Sequence, residues 1–535
     1  TIELTATNTL PATIFTTFNN VTISGGTTTA GVGITVNGNF TVNASCTFSG
    51  STFSHTFKGN ITNNNSFTVS GTTTFSGTAN QTVSGTGATT TFNLITINNT
   101  GTFPTNDIVE ISSSAFTPGA AFLQATLAAG ILKLSGSYTL SNALFSTNSY
   151  SIPSGAGVWI NNSNVTISAT TGSPTVSGLL RISAGTYNVG STSGNSMTLN
   201  STSTFDMQGG IMNVAGRLVG SGSSMTISGG TINIETVGNT STTTGSFDLS
   251  ATTNITMNGG TIAFQNACTG APPRDLQIAS GAGTKSITGG TFQFGNAFTP
   301  ANQTFRINTN GVSISNISVN STNSPIAKDT VNNLTLSGGV TINSGGTFNA
   351  NSLNISLGGD WTNNGGTFTN TGSTVTFNGT SQSIAGSAST TFNNLTTSGT
   401  GTTTTGIATT VGGNLTVGTG TTLTMGNFAF TVTGTSSITG TINTATGNTG
   451  TRTFTGAVTI NSGGVWDLSG QNPATSFANG ITMSGTTFNN GTGAAAFSAS
   501  QSLAGANNMT FGGTITPANT FTLTNSNTGT VTVSS

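Results

Sequence analysis

The side chains with which this chain could do chemistry are few: ten carboxylates, nine Lys or Arg and a single histidine in 535 residues. The acids are Glu3, Asp107, Glu110, Asp206, Glu235, Asp248, Asp275, Asp329, Asp360 and Asp467. Cleaving a glycosidic bond takes two carboxyl groups roughly 5–10 Å apart, and an oxygen-ligand metal site takes several acids together. The separation of Asp206 from Glu235 falls just short of the longer step that recurs in the chain, so repetition could bring these two together. Arg274-Asp275 and Lys328-Asp329 are adjacent opposite charges and read as local pairs on loops. His55 has no second histidine with which to hold zinc, and no Gly-x-Ser-x-Gly elbow accompanies it.

Other chemistries lack their signatures too. Calcium-binding Gly-Gly-x-Gly-x-Asp nonapeptides are absent, and no Gly pair precedes Lys-Ser or Lys-Thr between a strand and a helix. Nine scattered basic residues at net charge -1 provide no face for nucleic acid. Cys46 and Cys268 lie many coils apart in the chain and read as two separate buried thiols. The chain therefore reads as no enzyme, with no catalytic, cofactor-binding or metal-ligating residue and no cofactor. So few titratable groups also predict little change of stability between about pH 5 and 9.

Only 4% of the residues are charged, against a usual quarter. With 33% hydrophobic residues, a mean hydropathy of +0.06 and no apolar run of about 18 residues, the chain has no helical membrane span. The 75 glycines alone would suit disorder, but 32 phenylalanines at regular spacing argue for a core. Thr favours strands, Gly and Asn favour turns, and good helix formers are scarce, which predicts an all-β chain.

The elements that must carry these residues follow one motif, apolar-x-apolar-x-Gly-Gly-x-apolar-x-apolar. It occurs as Phe205-Asp-Met-Gln-Gly-Gly-Ile-Met-Asn-Val214, Met225-Thr-Ile-Ser-Gly-Gly-Thr-Ile-Asn-Ile234, Ile255-Thr-Met-Asn-Gly-Gly-Thr-Ile-Ala-Phe264 and Lys285-Ser-Ile-Thr-Gly-Gly-Thr-Phe-Gln-Phe294. The second glycines, Gly210, Gly230, Gly260 and Gly290, are separated by one step of twenty and then two of thirty. Alternation of period two, broken by a Gly pair and resumed, predicts two short strands joined at a tight corner. One copy cannot bury its apolar side, so copies must stack. The expected fold is a parallel β-helix, or β-solenoid, of 20–30-residue coils, with tandem β-sandwich domains as the competitor. In the solenoid, Ile232, Ile234, Ile262, Phe264, Phe292 and Phe294 point inward and Thr231, Thr261 and Thr291 outward.

A second repetition has a longer step. Gly359-Asp-Trp-Thr-Asn-Asn364 answers Gly59-Asn-Ile-Thr-Asn-Asn64, and the segments ending at Gln81 and Ile97 are answered by those ending at Gln382 and Thr397. The offset stays between 300 and 302, as duplication would leave it. The organisation expected is an N-terminal strand over 1–16, a candidate intersubunit donor, then solenoid repeats over 17–102. An irregular β segment or insertion follows at 103–160. Solenoid repeats with Gly-Gly corners over 161–330 carry a loop near 266–278, and further repeats run over 331–535.

The run from Trp361 to Leu395, opening Trp-Thr-Asn-Asn-Gly-Gly-Thr-Phe and closing Thr-Thr-Phe-Asn-Asn-Leu, resembles the units of large secreted, Thr/Asn/Gly-rich surface proteins of Bacteroidota-type bacteria. More broadly it is similar to β-solenoid adhesins of the filamentous-haemagglutinin kind. The resemblance implies secretion to the cell surface and a structural or adhesive role, and it brings no catalytic residue.

The function expected is therefore a non-enzymatic extracellular structural protein, subunit of a self-assembling surface filament or coat, with its signal peptide already removed. The alternative is an adhesin for surface glycans, with ice binding and polysaccharide degradation as lesser ones. Thr runs at 27–29, 72–74, 89–91, 242–244 and 402–405 suggest an ice-like array, but their irregular placement in the sequence argues against one. Homopolymer contacts are expected at the two ends, on Thr1, Ile2, Glu3, Leu4, Thr5 and Ala6, where Ile2, Leu4 and Ala6 alternate inward, and on Val531 and Val533.

Overall fold

The computed structural model describes all residues except 11–14, 124–126, 272–273, 321–325, 330–331, 470, 519, 521 and 535, with backbone alone at 326–329. Two compact units divide the chain, Thr1–Ser286 and Ile287–Ser535. Each is a β-solenoid of short strands in parallel, in-register ladders, with no helix among the described residues. Tandem sandwiches, which need antiparallel sheets, are excluded.

In the first unit Val21, Phe40 and Ile61 stand one above another, as do Met212, Ile232 and Ile262. Ile232, Ile234, Ile262 and Phe264 are fully buried, while Thr231 and Thr261 face out, half-buried. Alternation alone achieves this, because successive side chains leave a strand on opposite sides. The Gly-Gly corner has two separate causes. A Cβ at Gly209, Gly229 or Gly259 would strike a carbonyl oxygen of the coil beneath at 2.4, 2.4 and 2.2 Å. Gly210, Gly230 and Gly260 have φ of 67°, 72° and 72°, which side-chain-bearing residues rarely adopt. In the third copy the strand runs unbroken through its corner, Asn254–Phe264.

The lengthening of the step after Gly230 is absorbed outside the ladder. Ile211 pairs with Thr231 and Thr231 with Thr261, so the extra residues go to side loops at 235–246 and 265–275. The loops stack on one another: Thr269 N–H donates to Asn239 O at 2.8 Å and Phe247 N–H to Asp275 O at 2.8 Å. Within 103–160, the strands Ile108–Ile111, Gly130–Leu134 and Ala156–Ile167 pair in succession in the ladder that also holds Gln81–Ser84.

In the second unit Phe292 and Phe294 are fully buried and Thr291 faces out. One ladder runs Leu334, Ile355, Val375, Leu395, Leu415, Ser436, Val458, Ile481, Leu503, so the coils here are short and nearly uniform, at the lower end of the expected range. Aromatic rings fill the interior: Trp466 meets Phe454, Phe488 and Phe477 with ring centres 5.0, 5.6 and 5.8 Å apart.

The long-step repetition is a repetition of buried hydrogen bonds. Gln81 donates to Phe57 O and Gly59 O and accepts from Gly77 N–H; Gln382 donates to Leu357 O and Gly359 O and accepts from Gly379 N–H. Asn63 and Asn363 each donate to the backbone and hydroxyl of the next coil, at Thr89 O and Thr90 Oγ1 and at Ser389 O and Thr390 Oγ1. A partial third copy, which the sequence reading missed, has Gln501 donating to Phe477 O but accepting from Gly480 N–H of the preceding coil instead of from its own corner, with Met483 where the others have Asn. Gly85, Gly386 and Gly505 mark the three copies, each with its Cβ position within 2.0 Å of the carbonyl oxygen of Asn63, Asn363 or Met483.

Candidate functional site

The residues expected at subunit contacts sit at end strands. Ile2–Leu4 pairs on one side with Val21–Ile23, and Ile2 and Leu4 turn half-buried into an apolar cavity of about 420 Å³ shared with Leu10, Phe15 and Phe18. Thr1 lines its rim and Glu3 faces out. The strand ends at Leu4, so Thr5 and Ala6 are exposed, Ala6 in the following bend; the expected inward turn of Ala6 is corrected by that bend. Val531–Val533 pairs with Met509–Phe511, and Val533 is half-exposed.

The coil register concentrates the charges that look dispersed in sequence. In the first unit, outward positions of successive strands bring Glu110, Lys133, Trp159, Arg181 and Asp206 into one column. Lys133 Nζ lies 2.8 Å from Glu110 Oε1, and Arg181 Nε 2.8 Å from Asp206 Oδ2. Both cations also cover the indole of Trp159, Lys133 Nζ at 4.2 Å and the Arg181 guanidinium carbon at 4.7 Å from the ring centre. The column continues sideways: Trp159 Nε1–H donates to Ser183 Oγ, Ser183 to Gln208 Oε1, and Gln208 to Asp206 Oδ2. Burial pushes the Glu110 carboxyl up, but the bonds from Lys133 and Ser135 and the charge of Lys133 outweigh it and hold it below the usual value. The cations and carboxylates of the column thus satisfy each other.

Asp206 and Glu235 do not meet as an acid pair. The register partner of Asp206 is Thr226, because the step there is the short one and the remainder lies in a side loop. Glu235 instead turns inward at the start of that loop, in a left-handed conformation with φ of 59°, and is fully buried. Ser246 Oγ donates to its Oε1 at 2.5 Å, Asp275 lies beside it, and Asp275 Oδ1 takes the Cys268 N–H at 2.6 Å. Burial, and then the charge of Asp275, push the Glu235 carboxyl well above the usual range. Arg274, next in sequence to Asp275, donates to Thr243 O and Gln277 Oε1. The Lys328-Asp329 side chains lie outside the described residues. Among the described residues no three His, Cys, Asp or Glu side chains cluster as metal ligands.

Other ionisable groups are buried singly or, as Tyr150 and Tyr187, in a pair whose hydroxyls hydrogen-bond at 2.6 Å. Burial raises Asp107 to about 6. His55 is pressed into the core, where burial lowers its pKa although the Gly50 carbonyl opposes this; Nδ1 accepts from Ile34 N–H and Nε2 bonds Gly50 O at 2.8 Å. Arg452, also missed from the sequence, points inward with its guanidinium on Gly426 O and Phe428 O, and burial lowers it to about 10. Its alternation with Phe454 is the signal that would have found it. Against the pH insensitivity expected from composition, Asp107, Glu235 and His55 are buried, and burial is what couples titration to stability. Cys46 and Cys268 are both free and buried, as expected.

The Thr runs at 27–29, 89–91 and 402–405, irregular in sequence, become regular in space, whereas that at 242–244 lies in a side loop. Thr27 and Thr29 stand in register with Thr47 and Ser49, then Ser66 and Thr68, then Thr89 and Thr91. In the second unit Ser381 and Ser383 match Thr402 and Thr404, then Thr422 and Thr424. The middle residues, Thr28, Thr90 and Thr403, point into the core. Uneven coil lengths hide this order from the sequence, since extra residues go to corners. The longest array is a single column of Thr335, Ser356, Thr376, Thr396, Thr416, Ser437, Thr459 and Thr482 on eight successive strands. No known protein family, curated protein or solved structure matches this chain.

Proposed function

We propose that this chain is a non-enzymatic extracellular structural protein, a subunit that self-assembles into a surface filament or coat like those of the Bacteroidota-type surface proteins it resembles. The observation that supports this best is how the coils are built: an apolar column inside, uncharged hydroxyls outside, and the charges of the outer column neutralising one another. Such a body is rigid and presents little to attack. Subunits joined by strand pairing would extend the same ladder, with Ile2–Leu4 and Val531–Val533 as the contact strands. Electron microscopy of the purified chain should reveal filaments, and deletion of residues 1–10 should impair them. Undiminished filaments from the truncated chain would exclude strand donation by that segment, and a full chain that stays monomeric at high concentration would end the polymer reading.

Glycan binding is the second reading, supported by an open polar groove of about 440 Å³ across three coils of the second unit. It is lined by Ser462, Gly463, Ser484, Thr486, Asn507 and Asn508, with no charged group. Filling it by Ser484→Trp should abolish binding to neutral glycans, and unchanged binding would place the site elsewhere.

A further inference from the structure

The eight-rung hydroxyl column of the second unit differs from every other outward surface described above in being long, in register and free of charge. Its six threonines, Thr335, Thr376, Thr396, Thr416, Thr459 and Thr482, make no side-chain hydrogen bond among the described residues, whereas Ser356 and Ser437 accept from Asn378 and Asn461. One rim is locked within the stack: Asn354 N–H donates to Asn333 Oδ1, Thr374 N–H to Asn354 Oδ1, Asn414 N–H to Asn394 Oδ1 and Thr435 N–H to Asn414 Oδ1, at 2.8 to 3.0 Å. The hydroxyls therefore stand on a rigid frame with both donor and acceptor capacity turned outward.

We infer that this face is a lateral self-association surface whose partner is the same face of a second copy. A hydroxyl donates and accepts, so a row of them is complementary to itself, and an isologous contact requires that self-complementarity. The same ladder in two copies also shares one repeat, about 4.8 Å, so two such faces stay matched over all eight rungs and the methyl groups of the six threonines interdigitate as in a dry zipper. The absence of charge removes the repulsion that a face meeting its own copy would otherwise suffer. Eight strands span about 38 Å, and the column with its two flanks is about 16 Å wide. That is roughly 600 Å² a side, and the total of about 1,200 Å² exceeds the ~1,000 Å² that marks a specific interface. The inference rests on the structural-subunit reading and adds to it that assembly has a side-by-side direction, which makes a coat or bundle from single filaments.

The test is the full chain with Thr376→Lys and Thr416→Lys, two rungs apart, where an outward lysine is sterically acceptable, as Lys133 is in the other unit. Thr376→Ser with Thr416→Ser serves as the control that keeps the hydroxyls. Electron microscopy and sedimentation velocity over a concentration series are read together. Side-by-side association is expected in the unsubstituted chain and the serine variant, and should weaken at least about 100-fold in the lysine variant while end-to-end filaments persist. Lysine filaments that pair as before, or unsubstituted filaments that never pair, would overturn the inference while leaving the filament reading intact. Lateral dimers without filaments would uphold the inference and remove the filament reading. A chain that binds ice or crystalline polysaccharide through this face but never pairs would overturn it in favour of that partner.

Discussion

The charged column of the first unit and the hydroxyl face of the second are the same object chemically varied: outward side chains on stacked parallel strands. In the first, every ion is answered by a neighbouring rung, in the order acid, base, indole, base, acid. In the second, the six threonine hydroxyls are left open. The difference shows why the whole chain has so little charge. Rungs are about 4.8 Å apart, and two like charges at that distance repel by about 1 kcal/mol under water's screening and several times that near a protein surface. A long ladder of identical side chains is thus favoured when neutral, and in the outer column of the first unit the charges sit where their opposites occupy adjacent rungs.

The largest effect expected separates the two units by where they put tryptophan. Trp466 in the second unit is fully buried against Phe454, Phe477 and Phe488, so Trp466→Ala should cost about 3–5 kcal/mol in urea unfolding or local hydrogen exchange. Trp159 lies in the outer column, and Trp159→Ala should cost about 1–2 kcal/mol, the loss of two cation–π contacts. Equal costs would mean that the outer column is as structural as the core, and the contrast would fail.

Titration should sharpen the contrast next. The raised pKa of Glu235 means that its contribution to stability is complete below the unfolded value near 4.5 and is lost as pH rises through the folded value; Asp107 behaves alike, its loss complete somewhat above pH 6. His55 has the opposite sign, since its lowered pKa makes the coils around it lose stability as pH falls below the unfolded value of about 6.5. Hydrogen exchange between pH 4 and 9 should show residues 235–278 loosening toward alkaline pH and residues 34–57 toward acid. Residues 334–503 of the second unit, with no histidine and no buried carboxylate among the described residues, should hold their protection. Glu235→Gln should abolish the alkaline loosening; its persistence would move the cause away from this carboxyl.

The smallest effects lie on the two surfaces themselves. Asp206→Asn, which leaves Arg181 without its acid at a partly buried pair, should cost about 0.5–1 kcal/mol and become smaller in high salt. Thr396→Val on the hydroxyl face should stay within about 0.5 kcal/mol, because its hydroxyl has no partner to lose. A salt-sensitive threonine variant, or a salt-insensitive Asp206 variant, would contradict the account of which surface depends on charge.

The coil, its inward and outward sides and the Gly-Gly corner were legible because they depend on period-two alternation and on backbone conformations that only glycine adopts easily, both local properties. The long-step repetition was visible too, but its purpose, amides of Asn63, Gln81, Asn363 and Gln382 bracing carbonyls of adjacent coils, was not. The third copy escaped because Met483 replaces the asparagine that the eye follows. Asp206 and Glu235 were matched by a sequence step that the side loop at 235–246 had already consumed.

By itself the sequence determined an all-β solenoid with an apolar interior, corners at glycine pairs and few titratable side chains, since composition and alternation act within a short stretch of chain. Which residues share a rung was decided only by the tertiary structure. Coil lengths vary and the surplus leaves through corners and loops, so register is set by strand pairing between coils. That pairing turned Glu110, Lys133, Arg181 and Asp206 into one neutral column, the threonine runs at 27–29, 89–91 and 402–405 into straight ladders, and the distant acids Glu235 and Asp275 into buried neighbours.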